Sequence, residues 1–147
     1  MYQRILVPVD GSGLSERAIT GSIALAQQLG AAVVGFVAEP LMSPASGPRR
    51  QSLLDDQAKG HDAMSEAHAR DVLSHFEAKA REAGVPFEGH YDQVANVDRA
   101  IIAAAESHGC DMIVMVTHGR GAFGEFLFGS HTKAVLAGSA LPLLVLH

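Results

Sequence analysis

The sequence predicts an α/β fold, a three-layer, doubly wound sheet of five parallel strands with four helices. Three observations carry this. Short, near-continuous apolar runs alternate with stretches of helical period, as expected for parallel strands covered on both faces by crossover helices. The length, 147 residues, is that of one ordinary domain, so one domain is expected over 1–147. The composition, 48% hydrophobic and 18% charged, supports a core that needs no metal or disulfide to hold it.

The elements follow in order. Arg4 to Val9 (RILVPV) is short, apolar and β-branched, a buried strand, broken by Asp10-Gly11-Ser12-Gly13. Ala18, Ile19, Ser22, Ile23, Ala26 and Leu29 recur at helical spacing, and Gly30 stops that helix. Ala32 to Val37 reads as a second buried strand. A long helix is expected from about His61 to Ala83, with Met64, Val72, Leu73, Phe76 and Ala80 facing inward. Phe87 to Tyr91 is a short strand. Asn96 caps a helix running to His108, with Gly109 as its stop. Asp111 to Thr117 is the most apolar strand. A glycine-rich loop, a short helix from about Ser130 to Ala137 and a last strand from Leu143 to Leu146 complete the chain.

One segment resists the alternation. Residues 39–60 hold Pro40, Pro44 and Pro48 with Ser43, Ser46 and Gly47. A long connection without structure in a compact domain belongs to a functional site or is mobile. A lid or partner-contacting loop and a mobile insertion of no consequence both fit. Arg49-Arg50 within it either reaches a bound phosphate or is a solvated basic pair.

Charge and cysteine usage exclude several classes. Eleven Lys and Arg against sixteen Asp and Glu give a net charge of -5. That disfavours nucleic acid and anionic membrane surfaces as partners, since both are bound through excess cations. The single cysteine, Cys110, excludes an internal disulfide and a multi-cysteine zinc site, and reads as a small buried hydrophobe. No apolar run reaches membrane-span length, and the N-terminus lacks a signal peptide's apolar core. The expected location is a reducing, cytoplasmic compartment.

The chemistry concentrates at two strand ends, where open parallel sheets bind ligands. One is Val9-Asp10-Gly11-Ser12 and the other is Thr117-His118-Gly119-Arg120-Gly121. A glycine-rich turn entering a helix N-terminus is a ready anion site, because its amides lack intrahelical partners and the helix dipole is positive there. Gly119, Gly121, Gly124 and Gly129 permit close backbone approach, and Gly129-Ser130-His131-Thr132 opens a helix with two hydroxyls. A flexible loop with an ordinary serine cap is the plainer reading of the same residues.

Sharper motifs fail. There is no Walker sequence and no G-x-S-x-G elbow. Gly119-x-Gly121-x-x-Gly124 matches the dinucleotide fingerprint only literally, with Ser139 and Ala140 where an acidic ribose ligand belongs about 20 residues on. His61, His68 and His75 recur every seven residues. Seven residues are about 10.5 Å of helix rise, too far for two imidazoles to share one ion. Asp71 and His75 could pair, but the stretch reads as a solvated or partly packed face.

At these residues the chain resembles the universal stress protein family. Its ATP-binding branch carries G-2x-G-9x-G-[ST] after the fourth strand and an Asp ending the first. Here nine residues separate Gly119 from Gly129-Ser130. The opening Val7-Pro8-Val9-Asp10-Gly11-Ser12 and the closing Leu141-Pro142-Leu143-Leu144-Val145-Leu146 also resemble the family's. Val116 stands where the pattern has its first glycine, and would either crowd a ligand or point into the core. The resemblance implies a flavodoxin/Rossmann-like architecture with a flavodoxin-like strand order. It implies ATP or a related adenine nucleotide as ligand, with Mg2+ as an optional companion. Asp10 would hold the ribose hydroxyls, and Val9 and Val37 would contact adenine. Gly119, Gly129, Ser130, His131 and Thr132 would surround the phosphates, with Arg120 adding a charged contact; Lys133 is a weaker candidate. A homodimer through the C-terminal strand is implied, and the apolar last strand would otherwise be an open sheet edge.

Two functions from different classes follow. One is a nucleotide-binding sensor or accessory protein of the stress response. It carries no evident catalytic machinery, so at most slow ATP hydrolysis. The other is an interaction protein of the same fold whose pocket is closed or repurposed, with Val116 as its support. An enzyme acting on a small phosphorylated compound would need His118 as base, but a His beside a glycine turn more often packs or caps the loop.

Overall fold

The computed structural model describes residues 1–41, 51–117 and 130–147, the side chains of 51–64 excepted. The elements run β1 (Arg4–Pro8), α1 (Gly13–Leu29), β2 (Ala32–Pro40), α2 (Gln51–Glu82), β3 (Phe87–Val94), α3 (Val97–Ser107), β4 (Met112–Val116), α4 (Ser130–Gly138) and β5 (Leu143–Leu146). The five strands form one sheet in the order β3-β2-β1-β4-β5, every pair parallel. This is the Rossmann-like form of the expected architecture. The flavodoxin-like strand order does not form, because β1 neighbours β2 and β4, and β3 lies at the edge.

That order places the ligand end of the sheet. The chain first walks outward through β2 and β3, then returns to start β4 on the other side of β1. Right-handed crossovers require the outward and returning helices to cover opposite faces. One face packs Ile5, Val7, Val9, Val33, Val37 and Val114 under α1 and α2. The other packs Leu6, Val34, Phe36, Ile113 and Met115 under α3 and α4. Alternate residues of β1, β2 and β4 therefore enter opposite cores, which is why these three strands read as unbroken apolar runs. Beyond the carboxyl ends of β1 and β4 the connections diverge and leave a crevice.

Local chemistry ends the helices where the sequence says. Gly30 takes a left-handed φ of 66° after α1, and Asn96 accepts a 3.0 Å hydrogen bond from the Arg99 amide at the start of α3. Three boundaries differ from expectation, the start of α2 and the ends of β2 and β3. Helix α2 begins at Gln51, not near His61, so residues 51–60 are helical rather than loop. That stretch, including Gly60, lacks a clean apolar stripe. Its Leu, Gln, Ala and Lys residues are nevertheless helix formers, and one interior glycine costs only about 1 kcal/mol. Strand β3 extends to Val94 because β2 runs on to Pro40 and pairs with it to the end. An edge strand's length is set by its partner as well as by its own apolar residues.

Candidate functional site

The Asp10 turn is built from three sides. Strand β1 ends against β2, with the Val9 amide donating to the Phe36 carbonyl at 2.9 Å. Helix α1 then supplies Ser15, only 6% exposed. Its hydroxyl accepts from the amides of Asp10 and Gly11, both at 3.0 Å, and donates to Asp10 Oδ1 at 3.0 Å. A hydroxyl offers one donor and two acceptor sites, so Ser15 is saturated by this turn. The Ser12 amide adds a 2.9 Å bond to the same carboxylate oxygen. From the other side, His68 of α2 lies with Nε2 2.9 Å from the Asp10 carbonyl oxygen.

This environment decides the charge state of Asp10. Partial burial beside the protein wall pushes its carboxyl up, but hydrogen bonds from Ser12 and Ser15 outweigh that and hold it below the usual carboxylate range. An ionised carboxylate offers about four acceptor sites, so these bonds do not exhaust it.

Asp10 stands at the rim of a cleft enclosing about 760 Å³, its open mouth included. Val9, Leu14 and Ala18 line it from the end of β1 and from α1, Phe36, Ala38, Ile101 and Met115 from β2, α3 and β4, and His131 and Thr132 from α4. Mostly apolar walls with a few placed polar groups are the usual lining of a small-ligand site.

Of the residues singled out in the sequence, Val9, Asp10, His131 and Thr132 meet at this cleft. His131 Nδ1 lies 2.5 Å from Asp98 Oδ1, tying α4 to the first turn of α3. Ser130 is exposed at the first residue of α4 and is not among the lining residues. The side-chain contact expected of Val37 is corrected: that side chain is 0% exposed in the core under α1 and α2, and its neighbours Phe36 and Ala38 face the cleft instead, which leaves Val37 a backbone contact alone. Strand alternation gives the reason, since a one-residue difference reverses the face. Gly119, Arg120, Gly121, Gly124, Gly129 and His118 lie outside the described residues, as do Arg49 and Arg50. Val116 is half-buried; it packs against the α1-side core and also lines the cleft.

The sequence reading missed Ser15, Phe36, Ala38 and His68. Asp10-x-Ser12-x-x-Ser15 is a legible signal for the hydroxyl, because residues at the third helical position reach back over the turn. The β1–β2 register, Pro8 opposite Phe36, was needed for Phe36 and Ala38, and the packing of α2 against the end of β1 for His68. The histidine heptad resolves into two separate ties: His68 binds the Asp10 carbonyl, and His75 binds Glu16 of α1 rather than Asp71. Among the described residues no group of three or more His, Cys, Asp or Glu is placed to hold a metal ion. Cys110 is buried as a small hydrophobe, and burial pushes its thiol up to about 11.

The family model for the universal stress protein family matches residues 1–147. The chain belongs to that family. A universal stress protein of Thermus aquaticus is 32% identical over 146 residues, covering 99% of this chain and 98% of the relative. Among solved structures, a universal stress protein family member from Burkholderia pseudomallei superposes with TM-score 0.75 at 25% identity, covering 99% and 96% of the two chains. One from Archaeoglobus fulgidus, in complex with dAMP, gives TM-score 0.66 at 20% identity and covers 99% and 98%. Among the described residues of this universal stress protein, no helix is long and apolar enough to cross a membrane.

Proposed function

We propose that this chain binds an adenine nucleotide, ATP or a relative of it, in the cleft at the ends of β1 and β4. The observation that carries the proposal is Asp10: an ionised, pre-oriented carboxylate at the mouth of a largely apolar crevice. A nucleoside needs that pairing, an apolar slot for the base and an acceptor for the sugar hydroxyls. Val9, Phe36, Ala38 and Met115 provide the slot. His131 and Thr132, with Ser130 and the glycine-bearing residues 119–129, form the phosphate end, where Arg120 adds charge and Mg2+ could accompany a triphosphate. The dAMP bound by the Archaeoglobus relative supports the ligand class. Binding would make the protein a sensor or accessory in a cytoplasmic stress response, with the nucleotide as its signal.

The partner is a second copy of the chain, meeting through β5. That strand is a sheet edge with Leu144 37% exposed, and Leu136 of the preceding helix is 61% exposed. Such an edge invites cover.

Calorimetric titration with ATP, ADP and AMP tests the proposal, with Asp10→Ala and Gly119→Ala as controls. Saturable binding that both variants weaken is expected; no binding at millimolar nucleotide would end it. A second reading rests on Val116, whose side chain occupies part of the cleft wall. If only Val116→Gly binds nucleotide, the pocket of the present chain is closed and the protein works through partners alone.

A further inference from the structure

We infer that His68 is a positioning residue that sets the sugar specificity of the cleft by fixing the peptide between Asp10 and Gly11. The inference rests on the proposed role of Asp10 and deepens it. Ser15 holds the Asp10 and Gly11 amides and one carboxylate oxygen from the α1 side. The Asp10 carbonyl is held separately, from α2, by His68 Nε2 at 2.9 Å. A carbonyl only accepts, so this contact places the ring proton on Nε2.

Gly11 makes that contact matter. Its φ is +81°, a conformation that L side chains rarely adopt. Glycine populates both signs of φ about equally, so the 10–11 peptide, anchored at its Gly11 N–H by Ser15, can still tilt about that one anchor unless its carbonyl is held too. The absence of a side chain also admits the histidine. A Cβ on Gly11 would sit 2.7 Å from His68 Cε1 and 2.8 Å from both His68 Nε2 and Val72 Cγ2. The glycine and the imidazole therefore fit as a pair. Further along α2, His75 and Lys79 both reach Glu16 of α1, which keeps the two helices in register. His68 is exposed, so its contact contributes more to the orientation of the turn than to the core.

Releasing the carbonyl leaves the turn on its Ser15 and Ser12 bonds alone, and the Asp10 carboxylate, anchored through Oδ1 only, can then swing about them. The loss falls on ligand hydroxyls that need the carboxylate in one place. The base and phosphate contacts, made by other elements, keep their strength. One hydrogen bond of ordinary net strength corresponds to about a fivefold change in affinity.

The test compares ATP with 2′,3′-dideoxy-ATP by calorimetry in the full chain, alongside urea unfolding. Wild type is expected to prefer ATP. His68→Leu should lose about fivefold of that preference, while its affinity for the dideoxy nucleotide stays near wild type and its urea midpoint falls by no more than about 0.5 M, the loss of one neutral hydrogen bond. His68→Gln, whose terminal amide can donate to the same carbonyl, should restore the preference. An unchanged preference in His68→Leu overturns the inference, as does an equal loss for both nucleotides or a failure of His68→Gln to rescue. Wild type binding neither nucleotide overturns the proposed function itself. Wild type binding both equally removes the sugar role of Asp10, and the role of His68 with it.

Discussion

Replacing Ser15 with alanine removes one oxygen and three hydrogen bonds, two accepted from the amides of Asp10 and Gly11 and one donated to Asp10 Oδ1. A neutral bond contributes about 0.5–1.5 kcal/mol net, and one to an ionised group about 1.5–3 kcal/mol. The plain sum overstates the loss. Asp10 and Gly11 are exposed, so water can rejoin the freed amides, and alanine is the better helix former by about 0.5 kcal/mol. A net destabilisation of about 2 kcal/mol remains. For a chain of this size, that lowers Tm by about 4–8 °C. The urea midpoint falls by about 1 M, taking a slope of about 2 kcal/mol/M.

The loss should also depend on pH. The folded Asp10 carboxyl titrates below its ordinary value, with hydrogen bonds from Ser12 and Ser15 overcoming the opposing effect of burial. Its contribution is therefore present above the ordinary carboxylate range and disappears as pH falls through the folded value. Ser15→Ala weakens that contribution, so the gap between variant and wild type should narrow in acid. Urea midpoints between pH 7 and the acid limit of folding measure both effects. A midpoint change below about 0.2 M at pH 7, or a gap that stays constant into acid, would refute the account of the Asp10 turn.

Three further outcomes follow from the same geometry. Gly11→Ala should cost about 2–4 kcal/mol, from a strained positive φ and displacement of His68 and Val72. Gly13→Ala, with nothing within 4 Å of the new Cβ, should be neutral or slightly stabilising; equal effects in thermal melts would contradict both. Cys110, its thiol pushed up to about 11 by burial, should react with a thiol reagent at pH 8 about 100-fold more slowly in the folded chain than in urea, and comparable rates would refute its burial. His90 is held below the ordinary histidine value by burial first and then by the stacked His108 ring 3.8 Å away, with Arg4 acting the same way and Glu88 opposing. Below about pH 6.5 the unfolded chain takes up that proton more readily, so stability falls as pH drops through the window down to the lower folded value. His90→Gln should flatten this slope in urea midpoints from pH 7.5 to 5; parallel profiles would remove His90 as its source.

The sequence determined the parts whose signals are local. The four apolar runs that become β1, β2, β4 and β5, the Gly30 stop and the Asn96 cap depend on neighbours within a turn or two, so period and capping chemistry reveal them. The Asp10 turn was legible for the same reason, since Asp10-Gly11-Ser12 is contiguous in the chain. Tertiary structure decided what depends on register and on packing between distant segments. Whether Val37 or its neighbours face the cleft turns on a one-residue phase between strands, and β-branched residues fit either face. The extent of β3 was fixed by β2 beside it, and the start of α2 by residues that no apolar stripe announces. His68 looked like one histidine among three on a helix face. Only the packing of α2 against the end of β1, 58 residues away in sequence, gave it a carbonyl to hold, because hydrogen bonding reads distance in space and not along the chain.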